Sequence, residues 1–200
     1  MMTTKVFQRV LATFFVVAAI FLANGLNNVA NAARVQLYDG VSVYKILKII
    51  KEKGEIYNFR IGNKYYYTST SGHRCCRSYF GNSDKSGITF ILGNKDTVSS
   101  AFVFVNIDDG QKDDIMAAYA MSISTVTELT KLSDAEREKF GFDMMTYVNK
   151  SIKEAEENDE VVNMDKTFSI WSAKSKRYID VRIFTDRSDE TINHYIFAHT

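Results

Sequence analysis

The chain has 200 residues, 46% of them apolar, and its 25 basic and 24 acidic side chains leave a net charge of +1. This composition is typical of a globular protein that can bury a core, and it excludes a disordered chain. The near-neutral charge argues against a nucleic-acid binder and a strongly cationic membrane binder, because both need a basic surface.

The first 32 residues predict a secretory signal peptide. Lys5 and Arg9 precede an uncharged apolar segment at residues 10–22, and Ala30-Asn31-Ala32 has the small-x-small form of a cleavage site. The apolar segment is shorter than the ~20 residues that span a bilayer as a helix. We therefore expect an exported protein, periplasmic or extracellular and of bacterial origin, with a single mature domain at residues 33–200. An uncleaved N-terminal anchor is the alternative.

The first half of the mature chain predicts one helix and four strands. Residues 42–53 carry apolar side chains at the i, i+3, i+4 and i+7 spacing of an amphipathic helix, which Gly54 would end. Alternation over residues 57–61, the Gly62-Asn63 pair and a Tyr-rich segment at 64–70 predict a β-hairpin. Residues 71–86 are polar and predict a long loop. Residues 88–92 and 97–107 predict two more strands, the second of them central in the sheet.

The second half predicts two helices and three strands. One helix covers about residues 112–127, and a capping box from Ser133 to Glu136 begins another, with a break or kink at Gly141. Strands follow at about 161–172, around 179–184 and at 192–198. The order α-β-β-β-β-α-α-β-β-β predicts an α+β fold, with an antiparallel sheet of about six to seven strands and three to four helices packed on one face.

The most unusual local feature is the run His73-Arg74-Cys75-Cys76-Arg77. In an exported protein cysteines usually pair, and here the only partner within the chain is the adjacent residue. A bond between neighbours departs from ordinary disulfide geometry, and strained disulfides are labile. The flanking basic residues would favour thiolate and a redox-active or metal-capturing loop. The alternative is two reduced, packed thiols, since free cysteine behaves as a small hydrophobe.

A second candidate is an aromatic surface formed by Tyr65-Tyr66-Tyr67 with Tyr79 and Phe80. Tyrosine is enriched in binding patches. Strand alternation points Tyr66 away from its two neighbours, so part of the run is expected in the core. The candidate binding residues from both features are His73, Arg74, Arg77, Tyr66 and Tyr79.

Catalytic and cofactor motifs are not found. His194 and His199 are five residues apart in a predicted strand, which places them on opposite faces and excludes a shared metal. No glycine-rich nucleotide motif and no serine-hydrolase motif occurs. The sequence therefore predicts neither a metal site nor a cofactor.

These observations favour an exported, non-enzymatic binding domain. Its partner would be a protein or a small ligand, and neither nucleic acid nor, after signal cleavage, a membrane. One alternative is a thiol-based redox or metal-handling protein that uses Cys75 and Cys76. Another is a secreted inhibitor or immunity-type protein, which predicts a large interface patch.

Overall fold

A computed structural model describes residues 34–35, 37–38, 40–56, 60–81, 84–106, 112–186, 188 and 190–200. The predicted signal peptide at residues 1–32 lies outside the described residues, and so do residues 57–59 of the first predicted strand.

The described residues form three long helices and eight strands. The helices are α1 (Val43–Ile56), α2 (Lys112–Glu128) and α3 (Asp134–Asn158). The strands are β1 (Arg34–Val35), β2 (Tyr65–Thr68), β3 (Arg74–Tyr79), β4 (Gly87–Leu92), β5 (Val98–Asn106), β6 (Asp165–Ser172), β7 (Arg177–Asp186) and β8 (Thr191–His199). A short 3-10 turn covers Asn94–Asp96.

All the strands belong to one antiparallel sheet with the order β2-β3-β4-β5-β8-β7-β6, and β1 pairs with the end of β8. Two meanders, β2 to β5 and β6 to β8, meet where β5 pairs with β8, from Ser100 opposite Phe197 to Asn106 opposite Thr191. The predicted α+β class and antiparallel sheet are confirmed. The apolar centre of β5 explains its central position, since strands buried on both sides lose their polar alternation.

All three helices contribute to one hydrophobic core on a single face of the sheet. Residues four apart form the buried stripe of α3, which is the spacing of one helix face. The sheet side of this core is mostly aliphatic. Its fully buried members include Ile88, Phe90, Ala101, Val103, Ile179, Val181, Ile183 and Ile196, and the helices add Val43, Ile46, Ile50, Val126, Phe140, Met144 and Val148.

The capping box is confirmed, and the predicted break at Gly141 is wrong. The Ser133 hydroxyl accepts from the Glu136 backbone N–H at 3.3 Å, and the Glu136 carboxylate accepts from the Ser133 backbone N–H at 2.6 Å. The helix then continues through Gly141 to Asn158. A single helical glycine costs only about 1 kcal/mol, and the flanking Phe140 and Met144 are buried in the core.

The predicted hairpin at Gly62-Asn63 is also wrong. Ile61 forms an isolated bridge with Phe80, and the Gly62 backbone N–H donates to the Tyr79 carbonyl at 2.8 Å. Residues 61–68 therefore lie beside a single strand, β3, and do not turn back at Gly62-Asn63. The strand β3 itself lies within residues 71–86, so the prediction of a long loop there is wrong. The turn that joins β2 to β3 contains Gly72 at a φ of +80°, a conformation that favours glycine.

Candidate functional site

The sheet face opposite the three helices is called here the open face, because the described helices pack on the other face. Its side chains alternate with those of the core, so the register identifies them. Many of them are aromatic. The aromatic members are Tyr65, Tyr67, Tyr79, Phe102, Phe104, Trp171, Tyr178, Phe184, Tyr195, Phe197 and His199.

Arg77 lies on this face in β3 and is surrounded by rings. Its guanidinium carbon is 5.3 Å from the ring centroids of Tyr67 and Phe104 and 6.0 Å from that of Tyr79. These separations lie within the range of cation–π attraction. We call Arg77, Tyr65, Tyr67, Tyr79 and Phe104, with the hydroxyl of Thr89, the Arg77 cluster.

Hydroxyl groups fix the position of this guanidinium. Arg77 Nε donates to Thr89 Oγ1 at 2.7 Å, and Arg77 Nη2 donates to the Tyr67 hydroxyl at 3.1 Å. The hydroxyls of Tyr65 and Tyr79 lie 2.9 Å apart in a further hydrogen bond. Side-chain rotation of Arg77 would break several contacts at once, so the charge is held in a fixed place.

The electrostatics keep the arginine charged and the tyrosines neutral. Burial lowers the pKa of Arg77, but the surrounding tyrosine oxygens more than offset this, so its pKa lies above the ordinary value. Burial raises the pKa of Tyr67. Burial and the hydrogen bond to Tyr79 likewise raise the pKa of Tyr65. The cluster therefore combines one permanent positive charge with neutral hydroxyl groups.

Among the described residues, no carboxylate forms an ion pair with Arg77. Two other arginines of the sheet do have such partners. Arg182 on the open face donates to both oxygens of Asp165, at 2.8 and 2.9 Å, and Arg74 lies 2.9 Å from Asp96. A half-buried guanidinium without a counter-charge is unusual, because buried charges are normally paired.

The structure brings together only part of the predicted binding set. Arg77 and Tyr79, which come from two separate features of the sequence, share the open face. Tyr66 is directly opposite Cys76 on the helix side of the sheet and is 48% exposed, so it points away from Tyr65 and Tyr67, as strand alternation predicts. Arg74 is also on that side, and His73 is exposed in the turn before β3.

The cysteine pair is in a strand rather than a loop. Cys75 lies on the open face and Cys76 in the hydrophobic core, because neighbours in a strand point to opposite faces. Both are free and buried, which agrees with packed thiols and gives no support to a bond between them. The expectation of thiolates is wrong: burial raises the pKa of both thiols, and Arg77 and Lys64 only partly offset it.

A second polar group on the open face contains Ser169, Asp180 and His199. The Ser169 hydroxyl donates to Asp180 Oδ1 at 2.6 Å, and His199 Nε2 lies 3.3 Å from Asp180 Oδ2. The Tyr178 ring stacks on His199 with centroids 5.3 Å apart. A serine nucleophile needs the imidazole beside its hydroxyl. Here the carboxylate separates the two, so this group does not form a catalytic triad.

The two histidines of β8 lie on opposite faces, as predicted. His194 is on the helix side, 3% exposed, where it is hydrogen-bonded to the hydroxyl of Tyr119. Burial lowers the pKa of His194 to about 3. This imidazole is therefore neutral at physiological pH and belongs to the core.

Sequence reasoning did not find Thr89 and Phe104, and it assigned Tyr65 and Tyr67 only to a general aromatic surface. Thr89 and Phe104 join the cluster through strand register, since Thr89 is opposite Arg77 and Phe104 is opposite Gly87. Their alternation with Ile88 and Val103 marks them as facing away from the core. The sequence carries no signal that places them beside Arg77.

Comparison of the chain with protein-family models, with characterised proteins and with solved structures finds no match. Within the described residues, three or more histidine, cysteine or acidic side chains do not come together as a metal site. The described helices are all too short or too polar to cross a membrane.

Proposed function

We propose that this chain is an exported, non-enzymatic binding domain and that it binds a small organic ligand on the open face of its sheet. The observation that carries the proposal is the Arg77 cluster. Its guanidinium is held in a fixed position among aromatic rings, and no carboxylate of the described residues pairs with it. Aromatic walls with a few fixed polar groups are the usual composition of small-ligand sites.

The exposure of the rings supports binding at this end of the face. Tyr65 is 39% exposed, and Tyr67, Tyr79 and Arg77 are half-buried. A ligand can reach these groups and remove apolar ring surface from water, which is favourable by about 25 cal/mol per Å². Phe104 is buried beneath these groups, and its ring contacts the Arg77 guanidinium from the interior side.

The non-enzymatic part of the proposal is supported by the surroundings of the candidate reactive groups. The Ser169–Asp180–His199 group has the wrong order for a nucleophile, and the thiols of Cys75 and Cys76 are buried with raised pKa values. Reactive cysteines are instead exposed and have lowered pKa values. The thiol-based alternative therefore has little support.

Export is proposed from the signal-peptide pattern of residues 1–32. Cleavage after Ala32 would retain every described strand and helix, since β1 begins at Arg34. The intact mass of protein recovered outside the cytoplasm tests this: we expect a chain that begins at Ala33. A full-length chain that stays in the cell would contradict it.

The binding site is tested with a library of neutral and charged aromatic fragments, followed by the backbone amide NMR shifts of the purified protein. We expect the shifts caused by binding fragments to concentrate on β2, β3 and β4 around Arg77. Tyr65→Ala should weaken those fragments several-fold, because it removes an exposed ring of the site.

Tyr66→Ala is the matched control, since Tyr66 is the next residue and is similarly exposed but points to the other side of the sheet. Equal losses in the two variants, shifts confined to the helix side, or a library without a binding fragment would each overturn the proposed site.

A further inference from the structure

We infer that the Arg77 cluster binds the carboxylate group of a small organic acid whose body is aromatic or aliphatic. This inference rests on the proposed function, because it assigns a ligand class to the same site. It follows from the donors that remain available, from the single charge, and from the rings beside it.

Arg77 retains hydrogen-bond donors after its contacts within the protein. A guanidinium has five N–H donors. The hydroxyls of Thr89 and Tyr67 accept from two of them. The nearby Tyr79 hydroxyl raises the pKa of Arg77 through a hydrogen bond, so it is a candidate acceptor for a third. Even if Tyr79 accepts a third, two donors are left for a further acceptor. A carboxylate can accept two parallel N–H groups from a guanidinium.

The tyrosine pair supplies one more donor. In the 2.9 Å hydrogen bond between Tyr65 and Tyr79, either hydroxyl donates to the other. Whichever one accepts keeps its own hydrogen for another partner. An oxyanion beside Arg77 can therefore receive an O–H donor from this pair as well as the guanidinium N–H groups.

The single positive charge favours a carboxylate over a phosphate. Two other arginines of the sheet, Arg74 and Arg182, already have the carboxylates of Asp96 and Asp165 as partners. Arg77 alone balances one negative charge, which is what a monocarboxylate carries. A phosphate monoester carries about −1.5 to −2 at neutral pH, and the cluster would leave part of that charge uncompensated in an aromatic environment.

The rings explain why the acid should have an apolar body. Tyr65 and Tyr67 have ring centroids 5.7 Å apart, and Tyr65 and Tyr79 are 5.8 Å apart. These three rings border the charged group on the exposed side of the cluster. A carboxylate attached to an aromatic or aliphatic group would pair its charge with Arg77 while its body covers the rings.

The experiment titrates the purified protein with phenylacetate, with the neutral analogue phenylacetamide and with phenyl phosphate, and follows amide NMR shifts in β2 and β3. We expect phenylacetate to bind at least about tenfold more tightly than phenylacetamide, because charge-assisted bidentate hydrogen bonds are among the stronger polar contacts. Phenyl phosphate should bind more weakly than phenylacetate.

Variants of Arg77 test the role of the guanidinium. Arg77→Gln should remove the preference for the acid, and Arg77→Lys, which keeps the charge but lacks the fork, should reduce the preference without removing it. Arg74→Gln is the matched control, since Arg74 is exposed on the same strand and points to the other side. Its binding should equal that of the unmodified chain.

The results separate this inference from the proposed function. Equal binding of phenylacetate and phenylacetamide would overturn the carboxylate assignment and leave the aromatic site in place. Tighter binding of phenyl phosphate would also overturn it. If the fragment library and all three probes fail to bind, the proposed function itself is wrong. If Arg77→Gln does not fold, the comparison of the three probes on the unmodified chain and the Arg77→Lys variant decides.

Discussion

The two faces of the sheet are built from alternate residues of the same strands, yet they differ in chemistry. The helix side carries aliphatic groups such as Ile88, Val103 and Ile196, all fully buried. The open face carries aromatic rings together with Arg77 and Arg182. Aliphatic side chains interlock with helices and exclude water, whereas rings and fixed charges suit recognition. The period-two alternation thus places the hydrophobic core and the proposed binding surface on opposite faces of the same strands.

The largest expected effect compares two phenylalanines on opposite faces. Phe90→Ala on the helix side should reduce the free energy of unfolding by about 3–5 kcal/mol, because the side chain is fully buried in the core. Phe102→Ala on the open face should cost about 1–2 kcal/mol, since that ring is partly exposed. Urea denaturation measures both losses. If they were equal, the open face would contribute as much to stability as the core does.

Acid should act on the helix side through His194. Its pKa is about 3 in the folded chain and about 6.5 when unfolded. The folded state therefore binds fewer protons, so this stabilisation is complete above pH 6.5 and is lost as the pH falls towards 3. Between pH 6.5 and 4 the loss should be on the order of 3 kcal/mol.

His194→Gln provides the comparison, because glutamine does not titrate and can still form a hydrogen bond to Tyr119. Thermal unfolding measured from pH 7 to pH 4 should show a shallower decline for this variant than for the unmodified chain. If the stability of both chains declined equally with pH, protonation of His194 would carry no cost in stability. Water would then reach the helix side more readily than the burial of His194 indicates.

Gly87 tests how closely the strands beneath the Arg77 cluster approach one another. A Cβ at this position would lie 2.4 Å from the Ser78 carbonyl oxygen and 3.2 Å from the Phe104 ring. Gly87→Ala should therefore push β3 away from β4, with a loss of about 2–3 kcal/mol in unfolding free energy and displaced amide resonances around Tyr79. Gly141→Ala, where a Cβ meets nothing within 4 Å, is the control and should be neutral or stabilising.

The smallest expected effect concerns the ion pair between Arg182 and Asp165. The Asp165 side chain is mostly exposed, so Asp165→Asn should change the free energy of unfolding by less than about 1 kcal/mol. The Arg182 hydrogen bonds lower the pKa of Asp165. The stabilisation by the pair should therefore be complete above the ordinary aspartate pKa and be lost as the pH falls from that value through the lowered pKa of the folded chain. A loss above 2 kcal/mol on chemical denaturation would contradict this view.

Most of the fold follows from local patterns in the sequence. The period of α1, the capping box at Ser133 and the alternation in β7 and β8 each identify an element with little competition from other structures. The α+β class follows from the order of those elements. The prediction of a helix break at Gly141 was wrong because tertiary packing on both sides of this glycine outweighs its weak helix propensity.

The strand β3 could not be predicted from the same patterns. The strand Arg74–Tyr79 contains two cysteines, two arginines and a serine, a composition that resembles a loop. It becomes a strand because its backbone pairs with β2 on one side and β4 on the other, and such non-local pairing outweighs weak propensity. The Arg77 cluster depends on that register. Its aromatic residues are visible in the sequence, but their proximity to one cation is not.

The last strand in chain order, β8, lies between β5 and β7 at the centre of the sheet. During synthesis the β2–β5 meander is therefore complete before β8, the partner of β5, has been made. That partner lies about ninety residues further along the chain, so one edge of β5 is unpaired until then. Such long-range pairing slows folding, and unpaired edges promote association with other chains. A ribosome stalled before residue 191 would leave two incomplete half-sheets, each with an exposed edge. Protection of these edges during synthesis is then as important to this protein as the stability of its finished core.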